Sequence, residues 1–370
     1  MRDEVVELAQ QLIAIQSESL LSNATISDFL QKWLEKHGLA VERICYIDPN
    51  GVEKVNLIAQ MGEGTGGLGF FSHSDTVPGD GAQWQPFNPR VEDGKLYGRG
   101  SCDMKGPLAA SMIAVAGIDA SKLRRPLYIA IAADEEMGHV GAHHIQKESA
   151  TFKQNWPTWT VIPEPTEMLP VYAHKGGALI TVTATGRAAH TSLDTGISAN
   201  FLIAPFLAEM AELAKRMKSE ERYKNHEFDP PTNGFNLTID DGGCATNVTA
   251  AKCVAKVNFR IMPNDLHEEI IAQIEAAARR YGLAITHRKL MPFIVPKDAP
   301  IVQAACRAVN AAAMNVPFGT EAESYQRYTQ CVVLGPGGIG QAHTVNEFVR
   351  IDQLEQAVTA FQRIITELCM

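Results

Sequence analysis

The chain has no apolar run approaching the ~18 residues of a membrane-spanning helix, and no secretory signal precedes Met1-Arg2-Asp3-Glu4. A protein off the membrane is therefore expected. There is no C-x-x-C pair, and the seven cysteines are scattered and odd in number. That pattern argues against a disulfide scaffold and for free thiols in a reducing cytoplasm. A basic cluster is missing too, and the net charge is −9, so no nucleic-acid partner is expected. Internal repeats and low-complexity segments are absent. What is present is 370 residues at 45% hydrophobic content, enough for substantial cores and two domains. The first residues open an amphipathic helix with Val5, Val6, Leu8, Leu12 and Ile13 as its apolar positions.

The chemistry concentrates in His73-Ser74-Asp75 and, after 22 intervening residues, Gly98-Arg99-Gly100-Ser101-Cys102-Asp103-Met104-Lys105-Gly106. Leu68-Gly69-Phe70-Phe71 reads as a buried strand of a parallel sheet. On an extended backbone His73 and Asp75, two apart, face the same side. Asp103 falls where a glycine-rich loop yields to an apolar helix from Pro107 to Ile118, with Pro107 in its first turn. Ligands at the carboxyl ends of strands are the usual site of an open α/β sheet.

Other strand-like runs end the same way. Leu127 to Ile131 leads to Asp134-Glu135-Glu136, and Trp159 to Ile162 leads to Pro163-Glu164-Pro165-Thr166. Cys331 to Leu334 opens onto Gly335-Pro336-Gly337-Gly338 and then His343. His73, Asp103, Glu136, Glu164 and His343 thus recur after apolar runs. Two imidazoles and three carboxylates suit a pair of borderline divalent ions such as zinc or cobalt. Magnesium or calcium sites built of oxygen would not need the imidazoles.

These segments, in this order along essentially the whole chain, resemble the family of dinuclear zinc amidohydrolases and peptidases. Acetylornithine deacetylase, succinyl-diaminopimelate desuccinylase, aminoacylase and glutamate carboxypeptidase belong to it. The resemblance implies that Asp103 bridges two metals, with His73 and Glu164 completing one and Glu136 and His343 the other. It implies that Asp75 hydrogen-bonds the distal nitrogen of His73. Glu135 is implied as general acid/base; spacing alone does not separate it from Glu136. His190, in Gly186-Arg187-Ala188-Ala189-His190, matches the histidine that reaches a neighbouring subunit's active site as an oxyanion donor. Asn247 matches a position lining the substrate pocket. His139, His143 and His144 imitate a metal motif but read as residues of a partly exposed helix.

The fold class expected is α/β. A mainly parallel sheet flanked by helices forms a catalytic domain from 1–176 and 289–370. From Gly177 the pattern becomes strand–helix–strand–strand–helix–strand, a smaller ferredoxin-like α+β domain over 177–288. By resemblance this insert is the dimerisation domain and the protein a homodimer.

Three features lean toward the acetylornithine deacetylase branch: Ala173-His174-Lys175-Gly176, Gly319-Thr320-Glu321-Ala322-Glu323, and Leu334-Gly335-Pro336-Gly337 with Gln341-Ala342-His343. Pro163 before Glu-Pro-Thr and Glu323 after Gly-Thr-Glu-Ala depart from the family pattern. The expected reaction is hydrolysis of an N-acetyl amino acid, N-acetylornithine first. Desuccinylase, dipeptidase, glutamate carboxypeptidase and aminoacylase activities remain as alternatives. Arg260 would bind the substrate carboxylate with its planar fork. Glu321 or Glu323 would attract the ammonium.

Overall fold

A computed structural model describes residues 2–263 and 266–370. The chain forms two compact units. One holds the described residues up to Tyr172 with Val295–Met314 and Thr320–Met370; the other holds Ala173–Ile294 with Asn315–Gly319. The short Asn315–Gly319 segment lies in the second unit, which begins at Ala173 and runs to Ile294, against the expected bounds of 177 and 288.

In the first unit, strands lie in the spatial order Ala40–Ile47, Glu53–Met61, Leu127–Ala132, Leu68–His73, Trp159–Ile162 and Gln330–Val333. The last four are parallel to one another. They are apolar and, but for the rims of the last two, buried along their length, as strands covered on both faces should be. The sheet is mainly parallel at its centre, as expected, and antiparallel at its margins. One margin has a local cause: Ala40–Ile47 and Glu53–Met61 are joined by a tight turn, too short for a crossover helix. The Asp48 carboxylate accepts the Asn50 and Val52 amides there, both at 2.8 Å.

The helix Lys105–Ala116 packs against helices Arg2–Ala14 and Ile351–Cys369. All but Ile113 and Ala116 of its twelve residues are buried, so it has no polar face to offer solvent. Each fully buried Leu, Val or Met side chain here contributes roughly 1.5–3 kcal/mol. The helix begins two residues before Pro107 and ends two before Ile118, and Gly106 in its first turn packs against the Ser101 carbonyl where a Cβ would overlap it. This close approach sets the position of Asp103 just ahead of the helix.

In the second unit the strand order is Asn236–Asp240, Lys252–Phe259, Gly177–Thr185 and Ala284–Leu290, antiparallel throughout. With helices Ala199–Ser219 and His267–Arg280 this is the ferredoxin-like arrangement. Ile180, Val182, Ala255 and Val257 alternate inward to meet Phe206, Met210, Ile270 and Ile274.

Candidate active site

The parallel strands end nearly level. His73, at the end of Leu68–His73, pairs with Ala132, and Val333 pairs with Ile162. Just beyond these ends lie Asp134-Glu135-Glu136, Glu164 and the loop carrying His343. A Cβ on Gly335 in that last loop would overlap the Pro163 carbonyl, so only glycine lets the loop run against the Glu164 segment.

Two ligand groups result. His73 Nε2 lies 3.3 Å from Asp103 Oδ1 and 3.6 Å from Glu164 Oε1. His343 Nε2 lies 3.3 Å from Asp103 Oδ2 and 3.0 Å from Glu136 Oε1. Asp103 gives one oxygen to each group. A tetrahedral ion with bonds of about 2.1 Å holds its ligand atoms about 3.4 Å apart. These spacings match that requirement.

The charge balance points the same way. Burial pushes the Glu136 carboxyl up to about 7, and the nearby Asp103 and Glu135 charges add to the effect. Burial, with Asp103, also raises Glu164 well above the carboxylate range. Asp103 and Glu136 lift His343 to about 10. Burial opposes charge on His73, yet Asp103 and Asp75 hold its imidazole well above its usual value. Fully ionised, the four carboxylates of Asp103, Glu135, Glu136 and Glu164 would outnumber the two imidazoles, and two divalent cations would relieve that crowding.

The residues behind the ligands were only partly foreseen. His73 Nδ1 is 3.0 Å from the Asp75 backbone carbonyl and 3.5 Å from its carboxylate. The Asp75 carboxylate instead accepts the Glu135 amide at 3.1 Å, the Glu136 amide at 3.3 Å and the Ser19 hydroxyl at 2.7 Å. Asp75 therefore anchors the neighbouring strand end as well as His73. Asp134, in the left-handed region at φ 57°, bonds Lys54 Nζ at 2.6 Å and the Tyr46 hydroxyl at 2.9 Å. Glu347 was missed entirely. Its Oε1 accepts the Cys102 and Asp103 amides at 2.9 and 3.0 Å, and its Oε2 pairs with Arg99 at 2.6 Å. An acidic residue four after His343 was the available signal. Cys102 is buried, consistent with packing.

His139 requires a correction. It is buried, not on an exposed helix face: it precedes the helix Val140–Glu148 in the left-handed region, φ 60°. Its Nε2 lies 3.1 Å from Glu135 Oε1. His143 and His144 do lie on that helix, exposed and half-buried. Glu135 Oε2 is 3.9 Å from His73 Nε2, beside the ligands but outside both groups. Glu321 is 1% exposed, and its Oε1 finds no hydrogen-bond partner among the described residues. Burial, reinforced by Glu135, pushes its carboxyl up to about 8.

The remaining expected residues belong to the second unit. His190 and Asn247 adjoin: the Thr191 amide donates to the Asn247 carbonyl at 2.9 Å, and His190 bridges to Val248. Both side chains are exposed. Arg260 is exposed at the end of Lys252–Phe259, its backbone exchanging hydrogen bonds with Asn233.

A model of peptidase family M20/M25/M40 matches residues 69–367. The chain belongs to this family. It is a metal-dependent amide hydrolase, and the family's dinuclear character accords with the paired ligand groups. Acetylornithine deacetylase of Proteus mirabilis (strain HI4320) is 33% identical over 382 residues, covering 99% of this chain and 97% of that protein. The M20 metallo-carboxypeptidase Sso-CP2 of Sulfolobus solfataricus superposes with a TM-score of 0.76 at 17% identity, over 98% of each chain. A dinuclear metal-binding M20 peptidase of Bacillus subtilis gives a TM-score of 0.66 at 14% identity, over 99% of this chain and 98% of that one. Among the described residues no helix is long and apolar enough to cross a membrane.

Proposed function

We propose that the enzyme removes the acetyl group from N-acetylornithine, releasing ornithine and acetate in a cytoplasmic route of amino-acid synthesis. The reading is carried by Asp103 joining two ligand groups with Glu135 alongside, and full-length identity of 33% to acetylornithine deacetylases supports the substrate. His73, Asp103 and Glu164 would hold one cation, and Asp103, Glu136 and His343 the other. The mixed nitrogen and oxygen donors suit zinc, with cobalt as a substitute. Such ions supply Lewis-acid activation of water and of the amide carbonyl.

Glu135 takes the proton of the attacking water and delivers it to the departing amine nitrogen. His190 donates a hydrogen bond to the oxyanion, from the partner copy in a homodimer. An apolar surface on the second unit supports that assembly: Phe201 is 83% exposed, with Ile197, Leu202 and Ile239 also open. The Asn200–Asp241 bond of 2.9 Å brings the start of that helix beside the end of the edge strand. Asn247 lines the pocket, and Arg260 receives the α-carboxylate. Glu321 is the partner for the side-chain ammonium, since a buried carboxyl with an unbonded oxygen is satisfied by a donor cation.

The test is amine release by zinc- or cobalt-loaded enzyme from N-acetylornithine, N-acetylcitrulline, N-acetylmethionine, N-succinyl-diaminopimelate and a glutamate-terminated dipeptide. Preference for N-acetylornithine is expected. Preference for the succinyl or peptide substrate would overturn the substrate while leaving the hydrolysis intact.

A further inference from the structure

His139 spends both ring nitrogens on carboxylates, one four residues earlier and one 184 residues away. Nε2 lies 3.1 Å from Glu135 Oε1, and Nδ1 lies 3.0 Å from Glu323 Oε1. The Ser324 hydroxyl donates to the same Glu323 oxygen at 2.7 Å, and the Gln146 amide holds the Ser324 carbonyl at 2.9 Å. Although His139 occupies the N-cap position of Val140–Glu148, its side chain makes no capping bond. Instead the backbone adopts a left-handed conformation that costs a non-glycine residue energy and that recurs at functional sites.

The consequence falls on Glu135. Its amide is already tied to Asp75, but three side-chain torsions separate that anchor from the carboxylate. The imidazole takes one carboxylate oxygen and leaves Oε2 facing His73, 3.9 Å from Nε2 and so toward the ligand groups. We propose that His139, clamped by Glu323, is the positioning residue of Glu135, holding one oxygen so that the other meets the reacting water and amine. Glu323 therefore acts on the base through His139, not on substrate. This rests on Glu135 being the general acid/base.

Four variants and a Glu135→Gln control test it in the metal-loaded enzyme, with kcat, KM, bound metal and Tm read for each. His139→Asn tolerates the left-handed backbone but is too short to reach Glu135; kcat should fall about 10–100-fold. KM should stay within about twofold, with both metals retained. His139→Gln, whose amide nitrogen can replace Nε2, should recover most of that loss. Glu323→Gln should lower kcat less, and the His139→Asn/Glu323→Gln double variant should be no worse than His139→Asn alone. Glu135→Gln, the control for the underlying reading, should lose about 10²–10⁴-fold in kcat.

An inactive Glu135→Gln beside a fully active His139→Asn would overturn the clamp and leave the base in place. An active Glu135→Gln would overturn the base reading and the clamp with it. Loss of kcat that tracks lost metal or lowered Tm, without rescue by glutamine, would make His139 a structural residue only.

Discussion

The ligand cluster of the first unit and the His190–Asn247 corner of the second both offer imidazole but differ in burial and in the partners around it. In the cluster, imidazoles and carboxylates lie within 3.0–3.6 Å of one another, most of them buried, and their protonation is displaced from its usual range. His190 is exposed and its Nδ1 takes the Ser192 hydroxyl of its own turn at 2.7 Å. Buried polar groups must satisfy one another or a cation, so a buried site carries its evidence within one chain. The exposed His190, bonded within its own turn, takes a wider role only from what docks on it.

The widest break in this comparison is Asp103→Ala, which removes the shared ligand. Activity should fall at least ~10⁴-fold, and elemental analysis should show both metals lost. Retention of one full equivalent with substantial turnover would refute the bridging role. On the exposed side, His190→Ala should cost about 10²–10³-fold in kcat with metal content unchanged. Mixing it with inactive Glu135→Gln should restore activity if the imidazole acts across copies; no recovery in verified mixed dimers would count against that arrangement.

A smaller effect tests the support beneath the cluster. Asp75→Ala frees the Glu135 and Glu136 amides and should lower activity about 10–100-fold, with weaker metal retention in a chelator titration. An unchanged chelator midpoint and rate would leave Asp75 a turn residue. The subtlest concerns Glu321. Its carboxyl is raised from 4.5 to about 8, so between those values the folded chain binds the proton that the unfolded chain has released. Stability contributed by this group is present below pH 4.5 and is lost as pH rises toward 8. Glu321→Gln in metal-free protein should therefore gain on wild type as pH increases from 5 to 8, by on the order of 1–3 kcal/mol. A pH-independent difference in thermal unfolding would show that burial there is not the cause.

Much of the architecture was legible because it is written in local periodicity. The apolar runs 68–71, 127–131 and 159–162 became central parallel strands, and the alternation of 178–184 became a sheet with one buried face. The antiparallel margin was less visible, since a lone strand reads alike in either orientation until its turn is seen. His139 was misread because helical spacing predicts a face and says nothing of a left-handed residue ahead of the first turn.

By itself the sequence determined the order of the candidate metal ligands and the strand ends that carry them, because strand and candidate ligand are neighbours in the chain. Only the tertiary structure decided which of Glu135 and Glu136 joins a ligand group, that Glu347 holds the Asp103 amide, and that Glu323 reaches His139. Those pairs lie 184 to 244 residues apart, and packing, not periodicity, brings such groups to hydrogen-bonding distance.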